Sequence, residues 1–262
     1  MTFVALTIAG SDPSGGAGIQ ADLKTFHQYG VYGMSVITLL TVQNTVQLKT
    51  VETLPVRIVV GQLEAVLEDI PPSAAKTGAL GNADIICALA EMAAGFHFPL
   101  VVDPVMISKH GAPLIAEEAR SALRAKLIPR AFLVTPNLHE ASMLAGIPVN
   151  DTSSMEEAAR RIAALGARAV LVKGGHLPGE AIDVLYYMGE FRQFPAPRCD
   201  TRHTHGTGCT YSAAITAELS KGRALPEAVS SAKRFISLAI ETNPGLGKGC
   251  GPVNHHAKVI DD

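Results

Sequence analysis

The sequence of 262 residues contains no tryptophan, few aromatic side chains and comparatively few charged ones. Aromatic residues make up 5% of the chain and charged residues 18%, against a usual charged share of about 25%. The 22 basic and 24 acidic residues leave a net charge of −2. Because there is no basic stripe with interleaved aromatics, we expect no nucleic-acid partner. The hydrophobic share of 47% suffices for a sizeable core and excludes a disordered chain.

The sequence also lacks the patterns of membrane, secreted and metal-knuckle proteins. No apolar run reaches the roughly 18 residues of a membrane span, and the start, MTFVALTIAG, has no basic region typical of a secretion signal. Cys87, Cys199, Cys209 and Cys250 form no C-x-x-C pair, so a zinc knuckle or a thioredoxin-type site is not expected. These absences predict a cytoplasmic protein with free thiols and no membrane contact.

The chain does contain a regular alternation of short apolar runs and segments with helical periodicity. Strands are predicted at 3–9, 31–40, 74–77, 100–102, 132–134 and 169–173, and helices at 17–29, 55–68, 83–94, 116–126, 139–144 and 154–165. The pair Ser154 and Glu157 fits a capping box at the start of the last of these helices. Such alternation is typical of an α/β fold with a mostly parallel sheet covered by helices on both faces.

After residue 173 the pattern changes. Two antiparallel strands are predicted at 181–187 and 190–194 around Met188-Gly189, followed by helices at 210–220 and 225–240. No linker, low-complexity tract or internal repeat interrupts the sequence. We therefore expect a single domain over residues 1–262.

The first two strands end in polar segments that could contact a small molecule, since ligands of open α/β sheets lie beyond the carboxyl ends of the strands. Four glycines between Gly10 and Gly18 allow a close backbone approach, although an ordinary tight turn is the alternative. The run lacks the Lys-Ser/Thr ending of a Walker A loop and does not match G-x-G-x-x-G. Gln43 could bind the edge of a heterocycle through its carboxamide, or cap a polar turn.

Three charged residues follow later strands. Asp103 and Glu140 each come after a predicted strand, and two acids at one sheet edge are suited to Mg²⁺. The alternatives are a turn-starting Asp-Pro for Asp103 and a helix-dipole contact for Glu140. Lys173 precedes two glycines, a combination suited to phosphate or to a simple turn.

The segment Thr204-His205-Gly206-Thr207-Gly208-Cys209-Thr210 opens an apolar helix. Gly-x-Gly before a helix presents successive N–H groups at its positive end, which predicts an anion hole. The same field would favour the thiolate of Cys209, so the residue could act as a base or nucleophile. A small buried thiol without chemistry is the alternative.

Taken together, these segments resemble the ribokinase-like superfamily, and within it the hydroxymethylpyrimidine/phosphomethylpyrimidine kinases of thiamine biosynthesis. The Gly-x-Gly-Cys segment is specific, because sugar kinases of the superfamily usually carry Asp at the place of Cys209. The motifs that carry the resemblance span nearly the whole chain in order: AGSDPSGGAGIQADLKT (9–25), QNT (43–45), VDPVM (102–106), TPNLHE (135–140), VKGGH (172–176), HGTGCT (205–210) and GPVNHH (251–256).

The resemblance implies a three-layer α/β/α sandwich, commonly a homodimer, with ATP as phosphoryl donor and Mg²⁺ as metal. The reaction would phosphorylate 4-amino-5-hydroxymethyl-2-methylpyrimidine to its monophosphate and then to the diphosphate. By resemblance, the pyrimidine would contact Gln43, Asp22, Gly10, Val105 and the position of Ala79.

The resemblance also implies roles for the residues around the phosphates. Cys209 would lie near the hydroxymethyl oxygen and serve as base in the first phosphorylation only. The other implied groups are an anion hole of Gly206, Thr207 and Gly208, a metal site of Asp103 and Glu140 with Asn137, and an ATP site of Lys173, Asn137, Thr207 and Gly208.

One position departs from the family pattern. Where these enzymes often carry Gly-Met-Leu, this chain has Gly78-Ala79-Leu80, so one wall of the substrate pocket has a smaller side chain. A pyridoxine/pyridoxal kinase, whose substrate is also a small ring with a hydroxymethyl group, is therefore the alternative. A non-catalytic binding protein on the same fold is a third hypothesis, which the combination of acids, lysine and anion hole disfavours.

Overall fold

A computed structural model describes residues 2–107, 111, 115–175, 177 and 179–259; His176 of the fifth motif lies outside them. Its centre is one sheet of nine strands in the order β3-β2-β1-β4-β5-β6-β7-β8-β9. The pairs from β2 to β7 are parallel, whereas β3, β8 and β9 join antiparallel. The strands are β1 (Val4–Ser11), β2 (Tyr32–Gln43), β3 (Leu48–Thr53), β4 (Ala74–Thr77), β5 (Leu100–Val102), β6 (Leu133–Val134), β7 (Ala169–Val172), β8 (Asp183–Tyr187) and β9 (Glu190–Phe194).

Helices cover both faces of the sheet. One hydrophobic core joins the sheet to α2–α6, and the other joins it to α1, α7 and α8. This arrangement confirms the predicted three-layer α/β/α sandwich. The helices are α1 (Gly18–Gln28), α2 (Val56–Asp69), α3 (Ala83–Ala93), α4 (Glu117–Ala122), α5 (Leu138–Ala145), α6 (Thr152–Ala163), α7 (Thr207–Ser220) and α8 (Leu225–Glu241).

The strand order creates a crevice at the carboxyl end of the sheet. β1 lies between β2 and β4 in the sheet. The chain runs from β1 to β2 in one direction along the sheet and from β4 to β5 in the other, so the strand order reverses between β1 and β4. Ligands of such sheets bind at this topological switch point. The chain places Gly10 at the end of β1, Gly78 after β4 and Asp103 after β5 around it.

Most predicted elements are confirmed to within a few residues, but four predictions need correction. The sequence does not predict the edge strand β3, because its exposed Lys, Thr and Glu side chains give no clear hydrophobic pattern. Its pairing with β2 makes it a strand. The predicted helix at 116–126 is α-helical only in α4 and continues as a π-helical turn over Leu123–Leu127. The helix predicted from 210 already begins at Thr207.

The fourth correction concerns the start of α6. Ser154 is its third residue and not its N-cap, so the predicted capping box with Glu157 is wrong. Asp151 is the N-cap: its Oδ1 accepts the Ser154 N–H at 2.7 Å, and Ser154 Oγ accepts the Asp151 N–H at 3.0 Å. A carboxylate at the N-cap satisfies the first-turn donors as well as a hydroxyl does.

The C-terminal segment packs against the helices of one face. The Asn254 N–H donates to the Ala239 carbonyl of α8 at 2.8 Å, and Gln28 of α1 donates to the Ala257 carbonyl at 2.9 Å. The ring of His255 is buried, with Nε2 3.1 Å from the Thr210 hydroxyl of α7. The segment thus depends on a neutral imidazole in the interior.

We expect His255 to make the protein less stable at mildly acidic pH. Burial, followed by the charges of Lys24, His256 and His205, lowers its pKa from 6.5 to about 4 in the folded chain. As the pH falls below 6.5, the unfolded chain binds a proton that the folded chain does not, so the free energy of unfolding falls. The loss attributable to this group amounts to about 3 kcal/mol between pH 6.5 and pH 4. Denaturant unfolding across this pH range measures it.

His255→Gln is expected to flatten this pH dependence by the same amount. His97→Gln serves as the control, because His97 is exposed on the connection between α3 and β5 and its loss removes no buried imidazole. An unchanged pH dependence in His255→Gln would contradict the prediction.

Candidate functional site

A cleft of about 810 Å³ opens at the carboxyl end of the sheet. It brings together the predicted site residues with one exception, Asp22, which does not line it. The predicted residues that line the cleft are Gly10, Gln43, Ala79, Asp103, Val105, Asn137, Glu140, Lys173, Gly206, Thr207, Gly208 and Cys209.

Asp103, which is buried, and Lys173, which is partly exposed, form an ion pair that lines the cleft. Nζ of Lys173 lies 2.9 Å from Oδ1 of Asp103, and the Thr135 hydroxyl donates to the same oxygen at 3.1 Å. Burial lowers the pKa of Lys173, but the charges of Asp103 and Glu140 raise it by more, so the ammonium stays protonated. The hydrogen bond that the described residues make to the second oxygen, Oδ2, is a long one of 3.4 Å from the Ser212 hydroxyl. One carboxylate oxygen thus remains available to a ligand.

Glu140 lies in the first turn of α5 and lines the cleft. Its Oε2 accepts the Asn137 N–H at 2.8 Å, while Oδ1 of Asn137 accepts the Glu140 N–H at 2.9 Å, which is a capping box. Burial and then the Asp103 charge raise its pKa to about 7, although Lys173 opposes them. The contact at the helix start that the sequence analysis gave as the alternative for Glu140 is thus present. The Met106 N–H contributes a further hydrogen bond to this carboxylate.

The acids present a donor set suited to Mg²⁺ rather than to a closed metal cage. Among the described residues there is no group of three or more His, Cys, Asp or Glu side chains that could hold a metal. Asp103 and Glu140 supply two hard carboxylates in one cleft. Mg²⁺ typically binds through one or two carboxylates and completes its shell with waters and substrate phosphates. The residues present fit such an ion.

The first turn of α7 lies beside this pair. Gly206 is its N-cap with φ of 76°, and a Cβ there would overlap the carbonyl oxygen of Gly16, so only glycine fits. A Cβ on Gly208 would be 3.2 Å from Nζ of Lys173. First-turn N–H groups have no acceptor within the helix, and they carry the positive end of its dipole. The turn and Lys173 together form a site for an anion such as phosphate.

Asp12 and His205, which the sequence analysis did not single out, hold this turn in place. Oδ2 of Asp12 lies 2.8 Å from Nε2 of His205 and also accepts the N–H groups of Gly16 and Ala17. Burial raises the pKa of Asp12, but the hydrogen bonds from His205 and Ser14 outweigh burial and hold the pKa well below its ordinary value. The carboxylate thus ties the glycine-rich loop to the residue just before Gly206.

The state of Cys209 differs from the prediction. Burial raises the pKa of its thiol to about 12, and the lowering by Lys76 and by the Gly18 N–H does not compensate. The free protein therefore holds a thiol and not the thiolate that a helix N-terminus alone would favour. The sequence could not reveal this, because the elements that pack against α7, among them α1 and β4, lie far from Cys209 in the chain.

Asp22 was predicted to contact the substrate but lies beneath the cleft. Its side chain is fully buried and pairs with Lys76 Nζ at 2.8 Å and with the Thr7 hydroxyl at 2.6 Å. Direct contact with a molecule in the cleft is therefore not available in this arrangement. The residue that faces the cleft from the same part of α1 is Gly18.

The far end of the cleft was not predicted residue by residue. It is lined by Ile236, Ser237 and Ile240 of α8 and by the loop at Pro197 and Arg198. The helical periodicity of α8 places these side chains on one face but does not show what that face meets. Only the packing of the helix beside the sheet makes them part of the site.

Within the described part of the chain, no helix is long and apolar enough to cross a membrane. The family model described as phosphomethylpyrimidine kinase matches residues 12–254. The chain is 47% identical over 250 residues to the hydroxymethylpyrimidine/phosphomethylpyrimidine kinase of Streptomyces coelicolor, covering 95% of this chain and 93% of that protein. It is 50% identical over 252 residues to the thiamine biosynthesis bifunctional protein ThiED of Geobacter sulfurreducens; the match covers 95% of this chain but spans only about half, 51%, of that protein.

Among solved structures, an ADP complex of Bacillus subtilis pyridoxal kinase is 42% identical, with a TM-score of 0.90 and coverage of 98% of both chains. The fold, the cleft and these similarities agree with each other. The chain belongs to the phosphomethylpyrimidine kinase family.

Proposed function

We propose that this kinase uses ATP to phosphorylate 4-amino-5-hydroxymethyl-2-methylpyrimidine to its monophosphate and then to the diphosphate. The observation that carries the proposal is the single cleft, which joins a small pocket at Gln43, Ala79 and Val105 to the anion site of α7 and Lys173. The relatives named hydroxymethylpyrimidine/phosphomethylpyrimidine kinase at 44–48% identity over nearly the whole chain support the substrate class.

The residues of the cleft perform this reaction chiefly by positioning and by stabilising charge, which is what phosphoryl transfer requires. The Gln43 carboxamide reads the edge of the pyrimidine, and the first turn of α7 receives the γ-phosphoryl group. Lys173 neutralises charge on the phosphates, while Asn137 lies at the same edge. The far end of the cleft, at Ile236 and Ile240, takes the nucleoside part of ATP. Asp103 and Glu140 would hold Mg²⁺, which would offset the negative charge of the phosphates.

A pyridoxine/pyridoxal kinase is the second candidate function. Ala79 leaves one wall of the pocket lined by a small side chain, and the chain is 42% identical to a pyridoxal kinase. A pyridine ring with a hydroxymethyl group presents the same reacting oxygen. The two functions differ in the ring edge that Gln43 faces and in the second phosphorylation.

Parallel assays of ADP formation with the pyrimidine alcohol, its monophosphate and pyridoxine test the proposal. We expect turnover of both pyrimidines and little of pyridoxine. Gln43→Leu is expected to raise KM for the pyrimidine alcohol about tenfold, because it removes a donor and an acceptor at the ring edge. Gln47→Leu, an exposed carboxamide in the neighbouring turn, is the control. Strong turnover of pyridoxine with none of the monophosphate would favour the second candidate.

Gly208→Ala tests the anion site. The added methyl group would stand 3.2 Å from Lys173 Nζ and 3.8 Å from Asp103 Oδ2, where we place the transferred phosphoryl group. We expect kcat to fall about 10²-fold, since small displacements of reacting groups have effects of this size. The rate of ADP formation at saturating substrate measures the change.

Gly61→Ala is the matched control for this substitution. Gly61 lies exposed within α2, and a Cβ there meets no atom within 4 Å. Its substitution is expected to leave kcat unchanged and to stabilise the helix slightly. A normal kcat in the Gly208→Ala enzyme would contradict the prediction, because it would mean that the transferred phosphoryl group does not lie beside Gly208.

We also propose that residues 1–262 form one domain, that the chain forms a homodimer, and that it works in the cytoplasm. The single sheet that contains all described strands supports one domain, and the free cysteines of the described residues suit a reducing compartment. Exposed apolar side chains at Leu40 and Val42, on the outer half of β2, support association with a second copy.

Sedimentation velocity is expected to give twice the mass of the chain, and Val42→Lys is expected to shift it toward the monomer. Ile58→Lys on α2 is the matched control, since Ile58 is also an exposed apolar residue, 40% accessible, but on another element. A monomeric wild-type chain at micromolar concentration would refute the dimer.

A further inference from the structure

A fully buried ion pair beneath the cleft has no part in the reaction as described so far. Nζ of Lys76 on β4 lies 2.8 Å from Oδ2 of Asp22 on α1, and the Thr7 hydroxyl of β1 donates to the same oxygen. Neither charged side chain has any exposure to solvent. Because buried ion pairs are often no more stabilising than apolar side chains of the same volume, stability alone does not explain this one.

The ammonium of Lys76 lies close to the reacting end of the cleft. A Cβ placed on Gly78 would be 3.6 Å from Nζ of Lys76, and the next residue, Ala79, lines the cleft. α7 packs across β4, and its residue Cys209 interacts electrostatically with Lys76. Burial lowers the pKa of Lys76, but the negative charge of Asp22, which also accepts a hydrogen bond from Lys76, is foremost among the effects that raise it above its ordinary value, so the group stays charged.

Besides the ammonium of Lys173, three sources of positive potential act at the sulfur of Cys209. The first is the N-terminus of α7, in whose first turn Cys209 lies. The second is the N-terminus of α1, whose first residue, Gly18, lines the same cleft as Cys209. The third is the ammonium of Lys76. Two helix ends and a buried cation around one atom form an environment suited to an anion.

Asp22 opposes this potential and at the same time holds its source in place. It lies one turn after Gly18 on α1, and its negative charge raises the pKa of the Cys209 thiol. Its other oxygen, Oδ1, is buried without a hydrogen-bond partner among the described residues. The negative charge of Asp22 thus weakens the positive potential of Lys76 at Cys209, while the ion pair fixes the position of the ammonium.

We propose that Lys76 is a positioning residue that acts through Cys209: its ammonium, held by Asp22 and Thr7, favours negative charge on the Cys209 sulfur. Most molecules of the free protein hold Cys209 as a thiol. The minor fraction that has released this proton to solvent, which the charge of Lys76 enlarges, is the form that carries out the first phosphorylation. The hydroxyl oxygen forms a bond to the γ-phosphorus, the bond from that phosphorus to the ADP oxygen breaks, and the hydroxyl proton passes to the sulfur. The proton step rests on the proposed function, whereas the charge relation between Lys76 and Cys209 does not.

Two variants that change the charge beside Cys209 in opposite directions test the proposal. Alkylation of Cys209 by iodoacetamide, followed by mass spectrometry of its peptide, measures the thiolate fraction without any turnover. We expect Lys76→Met to slow alkylation at least about tenfold, because a nearby opposite charge shifts a pKa by one unit or more. Asp22→Asn is expected to accelerate it. A purely structural role would move both variants in the same direction, and that result would overturn the proposal.

The controls separate the field of Lys76 from general effects. The exposed Cys199 is alkylated in the same sample and is expected to react at one rate in every variant. Lys126→Met removes an exposed lysine near α4 and is expected to leave Cys209 unchanged. Should Lys76→Met not fold, the double variant Asp22→Asn/Lys76→Met leaves no unpaired buried charge, and it is expected to react more slowly than Asp22→Asn alone. Equal rates in these two would overturn the proposal.

Steady-state rates test the proton step. Lys76→Met and Cys209→Ala are expected to lower kcat for the pyrimidine alcohol more than for its monophosphate, because the phosphate oxygen that attacks in the second step carries no proton to remove. Equal losses in both steps would overturn the proton transfer. An enzyme without activity on either pyrimidine would refute the proposed function but would leave the alkylation result intact.

Discussion

The buried contact between Asp12 and His205 is the constraint on which the site depends most. It joins the glycine-rich loop after β1 to the residue before α7, two segments separated by 193 positions in the chain. Gly206 follows immediately and packs so closely on Gly16 that a side chain at position 206 would not fit. The first turn of α7 is therefore held at a set distance from the switch point of the sheet. An anion-binding helix end is useful for phosphoryl transfer only when it is held in this way, because the reaction depends on position more than on covalent help.

The charges of the site are arranged as two acid–lysine pairs at different depths. Asp103 and Lys173 lie at the cleft surface, where a ligand can take over some of their interactions. Asp22 and Lys76 lie beneath and cannot be reached by a ligand. In the low dielectric of the interior each charge acts over several ångströms, so the lower pair still influences Cys209 in the cleft. An acid–lysine pair that lines the cleft can thus bind substrate, whereas a pair buried beneath it acts on the reacting groups through its electrostatic potential.

The sequence allowed much of the fold to be predicted, because its elements carry their own patterns. The strands at 74–77 and 100–102 are short, buried along their whole length, and have the predicted bounds. The hairpin around Met188-Gly189 follows from a turn that needs two positive φ angles, of 53° and 82°. Failures occur where a neighbour decides the outcome: β3 exists through pairing with β2, and α7 begins at Thr207 because the contact of Gly206 with Gly16 fixes its N-cap.

In the candidate site, too, some features follow from the local sequence and others depend on neighbours in the fold. Ordered motifs at the ends of strands determined which residues meet, since all parallel strands end at one edge of a sheet; Asp103, Glu140, Lys173 and Gly208 lie together for this reason. The sequence alone thus determined the fold class, the family and part of the set of residues that line the cleft. Only the tertiary structure decided how deeply each group is buried and whether it is ionised. Asp22 lies below the cleft and pairs with Lys76, and burial keeps the thiol of Cys209 protonated. Burial and charge are properties of three-dimensional neighbours, and no spacing along one chain contains them.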